Sequence, residues 1–198
     1  MDYDMYAPGG YRFSQHAGDP QLLNKINKGT WDWVILQEQS QMLEFPAWQL
    51  QKEVFPYAAK LCELIRGANP QARIVFYETM AAKNGDQMNV KELPELGTYE
   101  GTQEKINTNY TVMTEQNRGI IAPVGLVWQN VRSGDPSIEL YGNETHPDLT
   151  GTYLAACVFY AVIFKDHTVG LPHPSPIDGP TALYLQTITD KIISYKSG

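Results

Sequence analysis

The chain has 198 residues, 42% of them apolar and 19% charged, which suits one ordinary globular domain and is too apolar for a disordered segment. A formal net charge of -7, with acids and bases interleaved, argues against a partner held by its phosphates or by an anionic lipid surface. The longest uninterrupted apolar run, Leu154 to Phe164, is far short of the roughly 20 residues that cross a bilayer, so neither nucleic acid nor membrane is expected as a partner.

Cys62 and Cys157 both fall in helix-patterned segments and read as inert core thiols, with no disulfide framework or zinc cluster to be built from them. The opening Met-Asp-Tyr-Asp-Met-Tyr lacks a basic start followed by an apolar stretch, so it is no secretion signal, and the compartment stays open.

Periodicity alternates between strand and helix signals, the pattern of an α/β fold. Asp2 to Ala7 reads as a short strand ended by Pro8-Gly9-Gly10. Asp19-Pro20 opens a helix to about Asn27, with Asp19 placed to accept from first-turn amides and Pro20 where no donor is needed. Trp31 to Leu36 is apolar apart from Asp32 and reads as a central strand covered on both faces, leading into Gln37-Glu38-Gln39-Ser40.

From Pro46 the stripe Leu50, Val54, Tyr57, Leu61 and Leu64 signals one long helix, stopped by Gly67, Asn69 and Pro70. Ala72 to Tyr77 is the next buried strand, followed by a long polar loop from Lys83 to Gly97. A helix from about Tyr99 to Asn117 uses Ile106, Tyr110 and Met113, and a brief strand at Ile120 to Ala122 precedes a helix over Val124 to Val131. Asp148 caps a helix from Leu149 to about Phe164, and Pro180 opens a last one with the stripe Ala182, Leu185, Ile188 and Ile192.

This order is what a parallel sheet with right-handed crossovers produces, and ligands of such sheets sit at the carboxyl ends of the strands. The segments to watch are therefore Pro8 to Gly10, Gln37 to Ser40, Glu78 to Asp86, and the loop Tyr141 to Asp148. His146, held between Pro147 and the packed helix behind it, is the natural candidate for a general base; a solvated loop histidine is the plainer alternative.

His-Pro ahead of a buried helix, a strand running into Leu-Gln-Glu-Gln-Ser-Gln, and an Ala-Pro-Gly-Gly turn together resemble the SGNH (GDSL-like) hydrolases, most of all a branch of that superfamily found among gut bacteria. The resemblance spans Tyr3 to the last helix and rests on the order and spacing of short motifs. It implies a three-layer α/β/α flavodoxin-like fold with a mainly parallel sheet, a single domain over residues 1–198, and an esterase mechanism without metal or organic cofactor. His146 matches the family's base, Gly10 or its neighbour Gly9 matches the oxyanion-binding glycine, and Gln39 stands where the family's asparagine donates its amide. Gln37, Glu38, Ser40 and Glu78 are the neighbouring candidates for substrate contact.

The chain departs from the family in two places. Asn143 stands where an aspartate usually precedes the histidine by three residues; it can accept from the imidazole but supplies no negative charge, and Glu144 beside it is aimed elsewhere by extended geometry. The strand ending in Gly-Asp-Ser or Gly-Asn-Ser has no counterpart, and there is no Gly-x-Ser-x-Gly elbow. In the family that first strand lies inside the sheet, between the second and third, so its absence leaves two rows of backbone groups unpaired. The expectation is an N-terminally incomplete domain whose nucleophilic serine lies outside the 198 residues. The alternatives are that Asp2 to Ala7 pairs differently, or that a second copy lends a strand, and hence self-association through the unpaired position.

Ser14, Ser40, Ser133 and Ser137 read as turn or cap residues rather than substitute nucleophiles, and His16 as a loop residue near the glycine turn. His167 and His173 lack further ligands at metal-binding spacing, and the four tryptophans read as core before they read as a sugar platform. The function expected is hydrolysis of a small-molecule or carbohydrate ester, an acetyl group on a sugar being the specific candidate. The competing expectation is a catalytically inactive relative that binds a glycan or a protein.

Overall fold

A computed structural model describes residues 2–193. The chain has an α/β fold built on a parallel three-stranded sheet. It divides into two compact units, Met1–Tyr77 with Thr108–Ile121, and Glu78–Asn107 with Ala122–Gly198.

In the first unit, α1 (Phe13–His16) and α2 (Pro20–Ile26) lead into β1 (Trp33–Leu36). Asp19 caps α2 as its sequence indicates, accepting from the amides of Gln21 and Leu22. A short 3-10 turn, Ser40–Glu44, then precedes α3 (Ala47–Glu53), α4 (Phe55–Ala68) and β2 (Arg73–Tyr77). Strands β1 and β2 are parallel, with Trp33 opposite Arg73 and Leu36 opposite Phe76.

The single long helix expected from Pro46 is two. Val54 leaves helical geometry (φ -123, ψ -61), and Pro56, in the first turn of α4, has no amide to continue the ladder. Of the expected stripe, Leu50, Val54 and Leu61 are fully buried across the break, whereas Tyr57 and Leu64 are half-buried. α5 (Tyr99–Gln116) supplies residues to both units, and β3 (Ile120–Ala122) completes the order β1-β2-β3.

Two strand expectations fail for the same reason. Asp2 to Ala7 is not a strand: what holds it are side chains, with Tyr6 Oη donating to Asp19 at 2.6 Å and Lys25 Nζ to Asp4 at 2.5 Å. β1, expected to be central and covered, is an edge strand of the sheet, and Ile35 in its middle is 46% exposed. Both segments carry strand-like residues, but among the described residues no further strand pairs with either.

The second unit packs α6 (Val124–Gly134), α7 (Leu149–Phe164) and α8 (Gly179–Ile192) against one another. α7, whose sequence is the most apolar in the chain, buries Tyr153, Leu154, Cys157, Val158 and Ala161. Asp148 and Asp178 cap α7 and α8 by accepting from the amides of Gly151 and Thr181. Among the described residues no helix is long and apolar enough to cross a membrane.

Candidate functional site

The residues singled out by sequence fall in both units: Gly9, Gly10, Gln37, Glu38, Gln39 and Ser40 in the first, Glu78, Asn143 and His146 in the second.

In the first unit, Pro8 accepts from the Tyr11 amide at 3.3 Å, closing the glycine turn. Gly10 has φ +71, and a Cβ there would meet nothing within 4 Å. Its backbone conformation, not crowding, therefore demands glycine, and the space beside it is open. Glu38 does not contact a surface. Its side chain is fully buried, and both carboxylate oxygens accept from the Phe13 amide at 3.1 Å, with Oε1 also accepting from Gln39 at 2.8 Å. Burial pushes its carboxyl up to about 7. Glu38 thus ties the end of β1 to the start of α1.

Gln39, next along, is half-buried and donates from Nε2 to Gln41 Oε1 at 3.2 Å, which leaves its second amide hydrogen free of that bond. Gln37 is exposed and Ser40 half-buried at the head of the 3-10 turn.

In the second unit, Glu78 is 2% exposed at the end of β2, and its Oε1 accepts from the Leu126 amide of α6 at 2.9 Å. Burial pushes its carboxyl up to about 8. The Asn107 amide lies 2.6 Å from the same oxygen. A neutral Glu78 donates to the amide oxygen at that separation, and an ionised one accepts from the amide nitrogen after a flip. Gly125 packs over this network, where a Cβ would come within 2.3 Å of Gln103 Nε2 and of the Thr79 carbonyl. Within its unit the buried Glu78 links Asn107 of α5 to the start of α6.

The histidine loop is a small hairpin. Tyr141 and Pro147 form an antiparallel bridge, and the amides of Gly142 and Asp148 donate to the carbonyls of His146 and Leu140, each at 2.9 Å. Asn143 organises its interior: Oδ1 accepts from the amides of Thr145 and His146, both at 2.9 Å. Those two donors fix which end of the amide faces the ring. The same oxygen lies 3.2 Å from His146 Nδ1. An amide oxygen only accepts, so the contact is a hydrogen bond in the tautomer with its proton on Nδ1, in which Nε2 is the basic nitrogen. Thr145 Oγ1 lies 3.1 Å from Nδ1 and accepts from it in the same tautomer.

The remaining candidates take local roles. Ser133 Oγ donates to the Gln129 carbonyl within α6, and Ser137 Oγ to Asp135. His16 lies between the rings of Tyr6 and Tyr11, at centroid separations of 6.1 and 5.2 Å, and burial holds its pKa below the ordinary value. His167 Nδ1 lies 3.3 Å from Asp190, and among the described residues no group of three or more His, Cys, Asp and Glu side chains is placed to hold a metal. Burial pushes the thiols of Cys62 and Cys157 up to about 11, far from the range of a reactive thiolate. Trp128 is core, whereas Trp48 is 71% exposed on α3.

Sequence reasoning missed Lys83, Asn84 and Arg132. They lie in a polar loop and on a helix, and only the fold reveals that they hold the segment on which the histidine loop rests.

No family model matches the sequence, and no curated protein matches it. Solved structures do. A DUF4886 family protein from Bacteroides uniformis superposes with a TM-score of 0.78 at 16% identity, covering 96% of this chain and 82% of that one. A proposed SGNH hydrolase from Slackia heliotrinireducens superposes with a TM-score of 0.62 at 23% identity, covering 78% of this chain and 80% of that one. At these identities the likeness is one of fold: the chain has an SGNH-hydrolase-like α/β fold.

Proposed function

We propose that this chain belongs to an SGNH-type serine esterase that removes an acyl group, in the first instance acetyl, from a carbohydrate. The observation that carries the reading is the Asn143–His146 contact, an imidazole oriented through Nδ1 with Nε2 left to exchange a proton. In this reading Nε2 takes the proton of a serine hydroxyl as its oxygen attacks the ester carbonyl. The proton passes to the departing alcohol, and water then attacks the acyl-serine by the same route, releasing the acid. The Gly10 amide and the Gln39 side chain are assigned to the oxyanion.

The nucleophile is assigned to polypeptide outside these 198 residues, on a strand that pairs along the open edge of β1. The exposed Ile35, and β1 being an edge strand among the described residues, support that assignment. The test is hydrolysis of a p-nitrophenyl ester panel and of acetylated sugars by the chain joined to the polypeptide encoded immediately upstream. Activity lost in His146→Ala supports the reading; an extended protein that cleaves no ester while still binding sugar overturns it.

A second reading has one observation in its favour. Asn143 gives the imidazole orientation without the negative charge that steadies an imidazolium, which suits a relative that binds a glycan without cleaving it.

A further inference from the structure

We infer that Glu144 is a positioning residue for His146, acting by docking the histidine loop onto the segment Ala81–Asn84; the inference rests on His146 being the base proposed above. The hairpin bonds, which join residues from Leu140 to Asp148, fix the loop's internal shape. Placement comes from both ends: at the stem Tyr141 Oη donates to the Ala81 carbonyl, and the tip adds two bonds of its own. The Lys83 amide donates to the Glu144 carbonyl at 2.8 Å, and Asn84 Nδ2 donates to Glu144 Oε2 at 2.8 Å.

The segment that receives the tip is itself anchored in buried structure. Ala81 donates its amide to Gln103 Oε1 at 2.7 Å and accepts from Tyr141 Oη at 2.7 Å, and both partners are buried. Lys83 accepts at its carbonyl from Arg132 Nη1 at 3.1 Å, and the Arg132 guanidinium is stacked 3.9 Å over the ring of Tyr99. Lys83 Nζ also reaches Glu139 at 2.6 Å, so the segment grips the stem of the loop as well as its tip. The Glu144 side chain, bonded to Asn84 beside the backbone bond from Lys83, therefore helps transmit this rigidity to the imidazole two residues on. A base held in one orientation reacts more often than one that samples several, so losing the dock shows in the chemical step rather than in binding.

The experiment is nuclear magnetic resonance of the His146 ring nitrogens in the full 198-residue chain, with Glu144→Ala, Glu144→Gln and Asn84→Ala. Wild type is expected to show a single Nδ1–H tautomer. Glu144→Ala and Asn84→Ala should both shift the signals toward a tautomer average, and Glu144→Gln, which keeps an acceptor for Asn84, should retain the wild-type pattern. In the extended, active protein, Glu144→Ala should lower kcat by about tenfold with KM unchanged within about twofold. Ring signals that coincide with wild type in a folded Glu144→Ala variant, or that respond to Glu144 but not to Asn84, overturn the inference. The ring measurement needs no turnover: if it behaves as expected and no ester is cleaved, the esterase reading fails alone, and if esters are cleaved while the ring is indifferent to Glu144, the positioning role fails alone.

Discussion

Asn143 Oδ1 accepts from the amides of Thr145 and His146 and lies 3.2 Å from His146 Nδ1, so one amide both closes the loop and orients the ring inside it. The two jobs separate by substitution. Asn143→Asp keeps every acceptor and adds the charge that stabilises an imidazolium, so in the extended protein it is expected to raise kcat by about tenfold or more. Asn143→Ala removes both, lowering kcat and destabilising the loop by about 1 kcal/mol. Steady-state ester hydrolysis checks the first, and thermal unfolding the second; a slower Asn143→Asp enzyme would exclude the orienting role.

The buried carboxyls make stability depend on pH in a direction opposite to that of ordinary surface acids. Glu78 is raised by burial from 4.5 to about 8 and Glu38 from 4.5 to about 7. Each folded-state value lies above the unfolded one, so the stability each contributes is complete below about 4.5 and is lost as pH rises through 7 for Glu38 and 8 for Glu78. The midpoint of unfolding should therefore fall between pH 5 and 8, by as much as about 1.4 kcal/mol per pH unit per group. Glu78→Gln, neutral at every pH, should flatten the upper part of this slope. A wild-type midpoint that is level across that range would refute the assignment.

Three glycines are predicted to respond differently to the same added methyl group. Gly9→Ala should be nearly neutral, since its Cβ would meet nothing within 4 Å. Gly10→Ala meets no neighbour either but holds φ +71, so it should cost about 1 kcal/mol from backbone strain alone. Gly125→Ala drives a Cβ to within 2.3 Å of Gln103 Nε2 and the Thr79 carbonyl, and should cost about 3 kcal/mol or more. Denaturant midpoints rank the three, and any order other than this one contradicts the packing described.

The open edge of β1 predicts self-association of the chain by itself. Light scattering should report a mass above the 22.3 kDa of one copy, concentration-dependent and reduced by Ile35→Lys, because a charge on an edge strand opposes further pairing. Joining the upstream strand should abolish it in the same way. A strictly monomeric chain would show that the edge does not recruit a second copy.

Helix positions were legible in the amino-acid sequence because each carries its own local signature. Asp19-Pro20, Asp148 and Pro180 mark starts, and Ile106, Tyr110 and Met113 mark a face that is fully buried. Local chemistry also brought Asn143 and His146 together, since a hairpin of eight residues, Tyr141 to Asp148, places them by short-range bonds. Strand placement was not legible, because the residues of Trp33 to Leu36 and of Asp2 to Ala7 say that they favour extended backbone but not whether a neighbour exists to pair with. Nor could sequence distinguish a carboxylate that faces substrate from one that bolts helices together. Glu38 and Glu78 sit where strands end, and only the packing of α1 against one and of α5 and α6 against the other shows both turned inward. The dock of Glu144 on Asn84 joins residues 60 positions apart, and contacts of that range are set by the tertiary fold, since no local pattern records which distant loop will supply a partner.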